Sequence, residues 1–189
     1  MEAIHTATFQ VLRDVGYDRL TTTLVAERAG VSVGTLYQYY ADKQSLVRAH
    51  VVSYVQAIQG ALLSELERPT ELRPTVRRFV RRFVRFKAEN RLQSVALRTV
   101  LVLADAQDAI EGVTATVVAA LEARVAAAHP RLGPGRAHQM AMMIVAIVLG
   151  ATTETLERDP EAVQAPWFVA ALEAAALAVL PRQKRSRAS

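Results

Sequence analysis

The sequence predicts an all-α protein of about nine helices, and three observations support this class. Of the 189 residues, 51% are hydrophobic and 22% are charged, which is typical of a chain that folds around a core. In the longer segments the apolar residues recur at helical spacing and not in strand alternation. Helix breakers separate these segments at Gly16 and at residues 30–32, 41–42, 68–74, 130–135 and 159–166.

Composition narrows the class of protein further. The chain has no cysteine, which excludes disulfides, thiolate metal sites and a cysteine nucleophile. Its start, MEAIHTATFQVL, lacks the pattern of a signal peptide. The longest apolar run, residues 140–149, is about half of the roughly 20 residues needed to cross a bilayer. We expect a soluble, cytoplasmic protein with no membrane partner.

The net charge of +5 is unevenly distributed. Residues 1–50 hold five basic and five acidic residues, whereas residues 51–91 hold nine basic and four acidic residues. The end of the chain, PRQKRSRAS, adds four basic residues and no acid. A basic protein favours polyanionic partners, but here the excess lies outside the first 50 residues, so the global charge is weak evidence.

The first two predicted helices are short. The first carries Ile4, Val11 and Leu12 on one face and ends at Gly16, a residue suited to a C-terminal cap. Either Thr21 or Thr22 caps the second helix, which ends near residue 29.

Two further helices follow after a tight turn. Gly30 allows a left-handed turn residue, Val31 is a small apolar residue between helices, and Ser32 caps a third helix that runs to Tyr39 or Tyr40. Asp42 caps a long fourth helix over residues 43–66. Three short helices and a long one, tightly joined, predict a helix-turn-helix module.

The third helix is too short to be stable alone in water, so it must pack on its neighbours, and Leu36 and Tyr40 are the residues expected to do this. The remaining side chains then point outward or sideways: Val33, Gly34, Thr35, Tyr37, Gln38 and Tyr39. Small and hydroxyl-bearing residues allow close approach to a surface and bonds to phosphates. Such a helix fits the major groove of DNA.

The run TTTLVAERAGVSVGTLYQYYADKQSL, preceded by GYDRL, resembles the DNA-binding signature of TetR-family transcriptional regulators. The resemblance covers roughly residues 4–50 and includes the doubled threonine, the AGVS turn and the GTLY helix in order and spacing. The rest of the chain resembles the family only in its length and helical pattern.

The resemblance implies a set of DNA contacts. Thr22 bonds a phosphate, Thr23 reaches the groove edge, and Lys43 pairs with a phosphate at the start of the fourth helix. Bases or thymine methyls are expected near Val33 and Thr35, and backbone near Tyr37 and Tyr39, while the role of Gln38 stays open. The full implied set is Thr22, Thr23, Ser32, Val33, Gly34, Thr35, Tyr37, Gln38, Tyr39 and Lys43.

One feature departs from the family pattern. Family members usually carry a basic arm before the first helix, whereas here Met1 lies almost inside that helix, and residues 1–50 are neutral. Binding to DNA depends on phosphate neutralisation, so we expect either a missing upstream arm, which we favour, or weak binding.

The resemblance further implies an all-α architecture of two domains. Residues 1–45 form the three-helix DNA-binding domain, residues 46–181 a larger ligand-binding and dimerisation domain, and residues 182–189 a basic, disordered tail. Apolar faces with small residues in AHQMAMMIVAIVLGATTETL and PWFVAALEAAALAVL favour a homodimer, against the alternative that both are intramolecular core. The predicted interface residues are Met140, Ile144, Ile147, Val148, Ala151, Trp167, Ala171 and Leu172.

The stretch TVRRFVRRFVRFKAENR has three interpretations. In the first, it forms a pocket wall for an anionic ligand, with Phe79, Phe83, Phe86 and Arg82 as the binding residues. In the second, which is favoured, it is an amphipathic helix whose arginines are solvated or paired with the acidic 105–122 region. The third, contact of this helix with nucleic acid, is less favoured because the helix-turn-helix is expected at the other end of the domain.

No catalytic constellation appears in the sequence. The four histidines are scattered, and the zinc-protease and phosphate-loop motifs are absent, so we expect no enzyme activity and no cofactor. The predicted function is a homodimeric, ligand-responsive repressor that binds a near-palindromic DNA operator and is released by an unknown small molecule. The alternative is a DNA-binding architectural or partner-regulated protein without an inducer.

Overall fold

The computed structural model describes residues 2–100 and 106–181. Nine α-helices and one short 3-10 helix account for nearly all of these residues, and none of them lies in a strand. The all-α prediction is confirmed. The α-helices are α1 (Glu2–Arg19), α2 (Thr22–Ala29), α3 (Val33–Tyr37), α4 (Lys43–Leu66), α5 (Leu72–Glu89), α6 (Arg91–Val100), α7 (Gln107–Ala128), α8 (Pro134–Arg158) and α9 (Pro166–Ala178).

The chain divides into two compact units. The first comprises Met1–Ala61 with Phe86–Thr116, and within it α1 packs against both α2 and α6 while α2 packs against α3. The second comprises Leu62–Arg85 with Val117–Ser189, and within it α8 packs against α9 and the 3-10 helix Ala162–Gln164. The predicted domain boundaries at residues 45 and 181 stay predictions, and the predicted tail, residues 182–189, lies outside the described residues.

The predicted interruption at Gly16 is present inside α1. Gly16 has φ 76° and ψ 170°, a conformation that residues with a Cβ rarely adopt. The chain turns there, and the Leu20 N–H donates to the Gly16 carbonyl at 3.1 Å, which brings the Leu20 side chain into the core. This turn sets the position from which α2 begins.

Helix α4 follows its sequence prediction closely. Asp42 caps it: its Oδ1 accepts from the Ser45 N–H at 2.7 Å, and the Ser45 Oγ donates to the Asp42 carbonyl at 2.9 Å. The backbone and side-chain hydrogen bonds from Ser45 lower the pKa of Asp42. The residues predicted to face inward are all buried: Leu46, Val47, His50, Val51, Tyr54, Ile58 and Leu62.

Two helix boundaries differ from the sequence prediction. Helix α3 ends at Tyr37 and not at Tyr39 or Tyr40, because the chain tightens into a turn in which the Tyr39 N–H donates to the Leu36 carbonyl at 3.1 Å. The sequence showed no helix breaker between residues 74 and 130, whereas α5, which holds the arginine-rich stretch, ends at Glu89. The Asn90 side-chain amide donates to the Phe86 carbonyl at 2.9 Å at this break.

One helical segment among the described residues, Gly135–Arg158, is long and apolar enough to cross a membrane by length and composition alone. It exceeds the ten-residue run considered in the sequence. Core helices of soluble proteins meet the same criterion, so the finding is weak evidence for a membrane span.

Candidate nucleic-acid interface

The turn between α2 and α3 is built from local hydrogen bonds. Gly30 adopts the left-handed conformation, with φ 68° and ψ 31°, and the Val31 N–H donates to the Ala26 carbonyl at 3.0 Å. Ser32 then caps α3, since its Oγ accepts from the Thr35 N–H at 3.0 Å. The predicted roles of Gly30 and Ser32 as cap residues are therefore present in the structure.

The start of α2 is also capped. The Thr21 hydroxyl accepts from the Leu24 N–H at 3.2 Å, which selects Thr21 over Thr22 as the cap. Thr22 is instead buried, and its Oγ1 lies 3.0 Å from the Tyr37 hydroxyl. The Thr22 side chain thus fixes Tyr37 to the start of α2, and the predicted bond of Thr22 to a phosphate stays a prediction.

The predicted division of α3 into a packed and an outward side matches the structure. Leu36 is fully buried and Tyr40 is 7% exposed, so these two side chains hold the segment on its neighbours. The side chains of Tyr37 and Tyr39 are 53% and 61% exposed, and Gly34 and Gln38 are also exposed, while Val33 and Thr35 are partly exposed. The segment from Ser32 to Tyr39 thus presents a continuous surface.

Gly34 has no packing role within the chain. A Cβ added there meets only the Ser32 Oγ, at an ordinary contact distance of 3.7 Å, and the backbone does not require glycine. The absence of a side chain at this exposed position leaves room for a partner surface to approach the backbone. The Ser32 Oγ and Thr35 Oγ1 lie 2.8 Å apart, so two hydroxyls border the open space left by the missing side chain of Gly34, which is called the gap below.

Lys43 is used inside the module. Its Nζ donates to the carbonyl oxygens of Tyr17 and Asp18, both at 3.2 Å, and lies 4.8 Å from the centre of the Tyr17 ring. These carbonyls belong to the last turn of α1, so Lys43 joins the start of α4 to the end of α1. The predicted contact of Lys43 with a phosphate stays a prediction, and it would compete with these bonds.

Most cations of the first 50 residues have partners within the chain. Asp14 binds Arg13 at 2.7 Å and Arg28 at 3.0 Å, and these arginines hold the pKa of Asp14 below its usual value. Arg48 pairs with Asp108 at 2.8 Å. Arg28, in the exposed last turn of α2, is a candidate phosphate contact that sequence reasoning missed, because its one signal was a charge on a helix face.

A buried aromatic cluster lies behind the outward surface. The His50 ring contacts His5 of α1 at 4.9 Å and Tyr40 at 5.5 Å between ring centres. His50 is 4% exposed, and its Nε2 has no hydrogen-bond partner among the described residues. Burial, together with the nearby His5, lowers the pKa of His50 from 6.5 to about 4, so the ring is neutral at pH 7.

The residues proposed for a ligand pocket are mostly core. Phe79, Phe83 and Phe86 are buried, and Phe86 contacts the Tyr54 ring at 5.5 Å. Arg82 is partly exposed. Their assignment to a ligand remains a prediction.

Arginines of α5 find acidic partners, but in places that the sequence did not indicate. Arg78 pairs with Glu65 at 3.2 Å, and Arg81 pairs with Glu173 of α9 at 2.5 Å. These two arginines do not pair with the described residues of the acidic 105–122 region, because Glu65, at the end of α4, and Glu173 of α9 are their partners in the second unit.

The predicted dimer residues fall into two groups. Ile144, Val148 and Leu172 are buried within the chain itself, which corrects their assignment to a surface: they face the core of the second unit. Met140, Ile147 and Ala151 are partly exposed, Ala171 is exposed, and Trp167 is 65% exposed. Other large apolar side chains exposed on α8 are Met142, Met143 and Leu149.

No group of three or more histidine, cysteine, aspartate or glutamate side chains within residues 2–100 and 106–181 is arranged to hold a metal ion. His5 and His50 do lie in contact, but not as part of such a group.

Comparison with known proteins bears on the same segment. Residues 4–50 match the family described as "Bacterial regulatory proteins, tetR family". The HTH-type transcriptional regulator BetI of Escherichia coli (strain K12 / DH10B) is 33% identical over 60 residues, which are 32% of this chain and 31% of BetI. The chain thus matches about a third of the length of this curated relative.

Solved structures match over nearly the whole chain. A TetR transcription regulator from Haloarcula marismortui (22% identity, TM-score 0.76) covers 95% of this chain, which in turn covers 97% of it. A TetR family transcription regulator from Marinobacter aquaeolei VT8 (20% identity, TM-score 0.73) covers 94% of this chain, which covers 93% of it. The coverages are the same for the fatty acid degradation regulator FadR from Bacillus halodurans (16% identity, TM-score 0.74). These likenesses show the fold.

The matched relatives are transcription regulators, in agreement with the prediction that the chain is not an enzyme. Residues 4–50, which hold the capped helix-turn-helix, are thus similar to the TetR family of bacterial regulatory proteins, and the chain has the fold of TetR-family regulators.

Proposed function

We propose that the chain is a homodimeric transcriptional repressor that binds a near-palindromic operator and is released by a small molecule. The observation that carries the proposal is the segment from Ser32 to Tyr39. It is held on the module by Leu36 and Tyr40, and it presents an unobstructed Gly34 beside exposed hydroxyls. A short, rigidly mounted helix of this kind suits the major groove, where small and hydroxyl side chains approach base edges and phosphates.

Within this proposal, residues 1–45 bind DNA, and residues 46–181 bind the ligand and form the dimer. The protein acts in the cytoplasm. Two copies would place their recognition helices in successive major grooves, about 34–36 Å apart. Large apolar side chains are exposed on α8 and α9, above all Met142, Met143 and Trp167, and this supports dimerisation, since a second copy of the chain would bury them. Release requires the ligand to bind the DNA-free state more tightly than the DNA-bound state.

The first test is selection of bound duplexes from a random DNA pool at a stated salt concentration. Enrichment of a two-fold symmetric site supports a dimeric DNA-binding protein and supplies an operator for further work. Absence of any enrichment, with and without a basic segment added upstream, would contradict the proposal.

The same operator separates base readers from backbone contacts. Thr35→Ala should weaken binding and relax the base preference at one position of each half-site, because the Thr35 hydroxyl lies at the edge of the gap above Gly34. Tyr37→Ala should weaken binding to every sequence equally. Equal, sequence-blind losses in both variants would remove Thr35 from the base readers.

A further inference from the structure

A groove of about 610 Å³ lies between α1 and α6 in the first unit. Its volume falls within the range of small-molecule sites, which is about 300–1,000 Å³. The phenylalanines of α5 that the sequence suggested as a pocket wall are not among the described residues that line it. Its lining is Leu12, Arg13, Tyr17, Arg91, Leu92, Val95 and Ala96.

The lining combines an apolar floor with charge of one sign. Leu12 is buried, Leu92 and Ala96 are partly exposed, and Val95 is 42% exposed. Among the described residues that line the groove, two are charged, Arg13 and Arg91, and both are basic and exposed.

Neither arginine is held tightly by the protein. Arg13 pairs with Asp14, the next residue in the chain, on an exposed turn of α1. The Asp14 carboxylate also binds Arg28, at 3.0 Å. Arg91 has no ion-pair partner within the described part of the chain. Exposed pairs such as Arg13–Asp14 contribute little to stability, so Arg13 can exchange Asp14 for another anion at little cost.

From this arrangement we propose that the groove between α1 and α6 binds an organic monocarboxylate with an apolar body. The carboxylate lies between Arg13 and Arg91, and guanidinium groups suit this geometry because they donate two parallel hydrogen bonds. The apolar body covers Leu92 and Val95 and packs against the Tyr17 ring.

Tyr17 lines the groove and is also part of the joint between α1 and α4. The Tyr17 carbonyl accepts from Lys43, the first residue of α4, so a ligand that shifts Tyr17 acts on the joint between α1 and α4. This coupling rests on the proposed function, whereas binding in the groove does not.

The test is isothermal titration calorimetry of the full chain with 2-naphthoate as the probe and with 2-naphthamide, its uncharged counterpart. The double variant Arg13→Gln/Arg91→Gln should bind 2-naphthoate on the order of tenfold more weakly, which corresponds to two exposed charge interactions. Val95→Trp, which fills the groove without changing charge, should also lose binding. The matched control is Arg131→Gln, which removes an exposed arginine outside the groove, and it should bind as the parent chain does.

Three outcomes would overturn the proposal: no binding of 2-naphthoate by the parent chain, equal affinity for 2-naphthamide, or unchanged affinity in the double variant and in Val95→Trp. Thermal unfolding of each variant shows that the fold is intact. Titration of the selected operator is a separate measurement: operator binding without naphthoate binding overturns this site alone, and naphthoate binding without operator binding overturns the proposed function alone.

Discussion

The hydroxyl groups of Thr22 and Tyr37 lie 3.0 Å apart, and this bond joins the first turn of α2 to the last residue of α3. Thr22 is buried, whereas Tyr37 is 53% exposed, so a side chain that faces outward is oriented by one that does not. The orientation of Tyr37 on the outward surface of the Ser32–Tyr39 segment therefore depends on Thr22, a buried residue.

Tyr37→Phe should lower stability by about 1 kcal/mol, because the Thr22 hydroxyl is left buried without its partner. It should also weaken operator binding for all sequences alike, since Tyr37 loses both its anchor and its phosphate donor. Urea unfolding and operator titration measure the two effects. Tyr39→Phe is the matched control, because Tyr39 is 61% exposed and should lose little stability; an equal loss in both variants would argue against the Thr22 bond.

Gly34→Ala should separate folding from DNA binding. Alanine is favoured over glycine in helices by up to about 1 kcal/mol, and the added Cβ meets only an ordinary contact, so stability should rise slightly or stay constant. Operator affinity should nevertheless fall at least about tenfold, because the methyl group stands where the partner surface must approach. Thermal unfolding and operator titration of the same sample check both statements.

The control for this substitution is Gly60→Ala, in the exposed middle of α4, where an added Cβ also meets no atom. It should give a similar gain in stability with no loss of operator affinity. Undiminished affinity in Gly34→Ala would show that no partner approaches the backbone at this position.

Asp14→Asn should strengthen operator binding and make it more dependent on salt. The substitution releases Arg28 and Arg13 from their shared carboxylate, and each additional phosphate contact steepens the slope of log affinity against log salt by about 0.9. Affinities measured over a series of salt concentrations give the slope. Asp18→Asn makes the same change in net charge without breaking an ion pair of these arginines, so an equal effect in both variants would attribute the result to net charge alone.

Acid should destabilise the protein through His50. Its pKa is about 4 in the folded chain and 6.5 when unfolded, so between these values the unfolded state binds more protons. This contribution to stability is fully present above pH 6.5 and is lost as pH falls towards 4, by about 3 kcal/mol at most. The facing groups are His5 of α1 and Tyr40, and burial raises the pKa of Tyr40, which stays uncharged in this range.

His50→Leu tests this assignment. The leucine removes a buried nitrogen that has no partner among the described residues, so the variant should be as stable as the parent chain or more so at pH 7. Its free energy of unfolding should also fall less steeply between pH 6.5 and pH 4. Parallel pH profiles of the two proteins would show that another group causes the acid sensitivity.

Local signals in the sequence were sufficient for the architecture of the module. Gly16 and Gly30 predicted the turns because both positions require positive φ, and Ser32 and Asp42 predicted helix starts because their side chains cap nearby N–H groups. Leu36 and Tyr40 were identified as core residues by helical spacing alone. Each of these features depends on residues within four positions of one another, which a sequence displays directly.

Partners distant in the sequence could not be found in this way. The sequence does not show that Lys43 binds the carbonyls of Tyr17 and Asp18, that Glu173 receives Arg81, or that Ile144 and Leu172 are buried while Trp167 is exposed. An apolar helix looks the same in sequence whether its face meets its own chain, a partner or a ligand. The sequence by itself predicted the helical architecture, the caps at Ser32 and Asp42 and the resemblance of residues 4–50 to the TetR family. The tertiary structure decided which charges are already paired, which hydroxyl orients Tyr37 and where a groove opens, because these follow from contacts between helices that local composition does not encode.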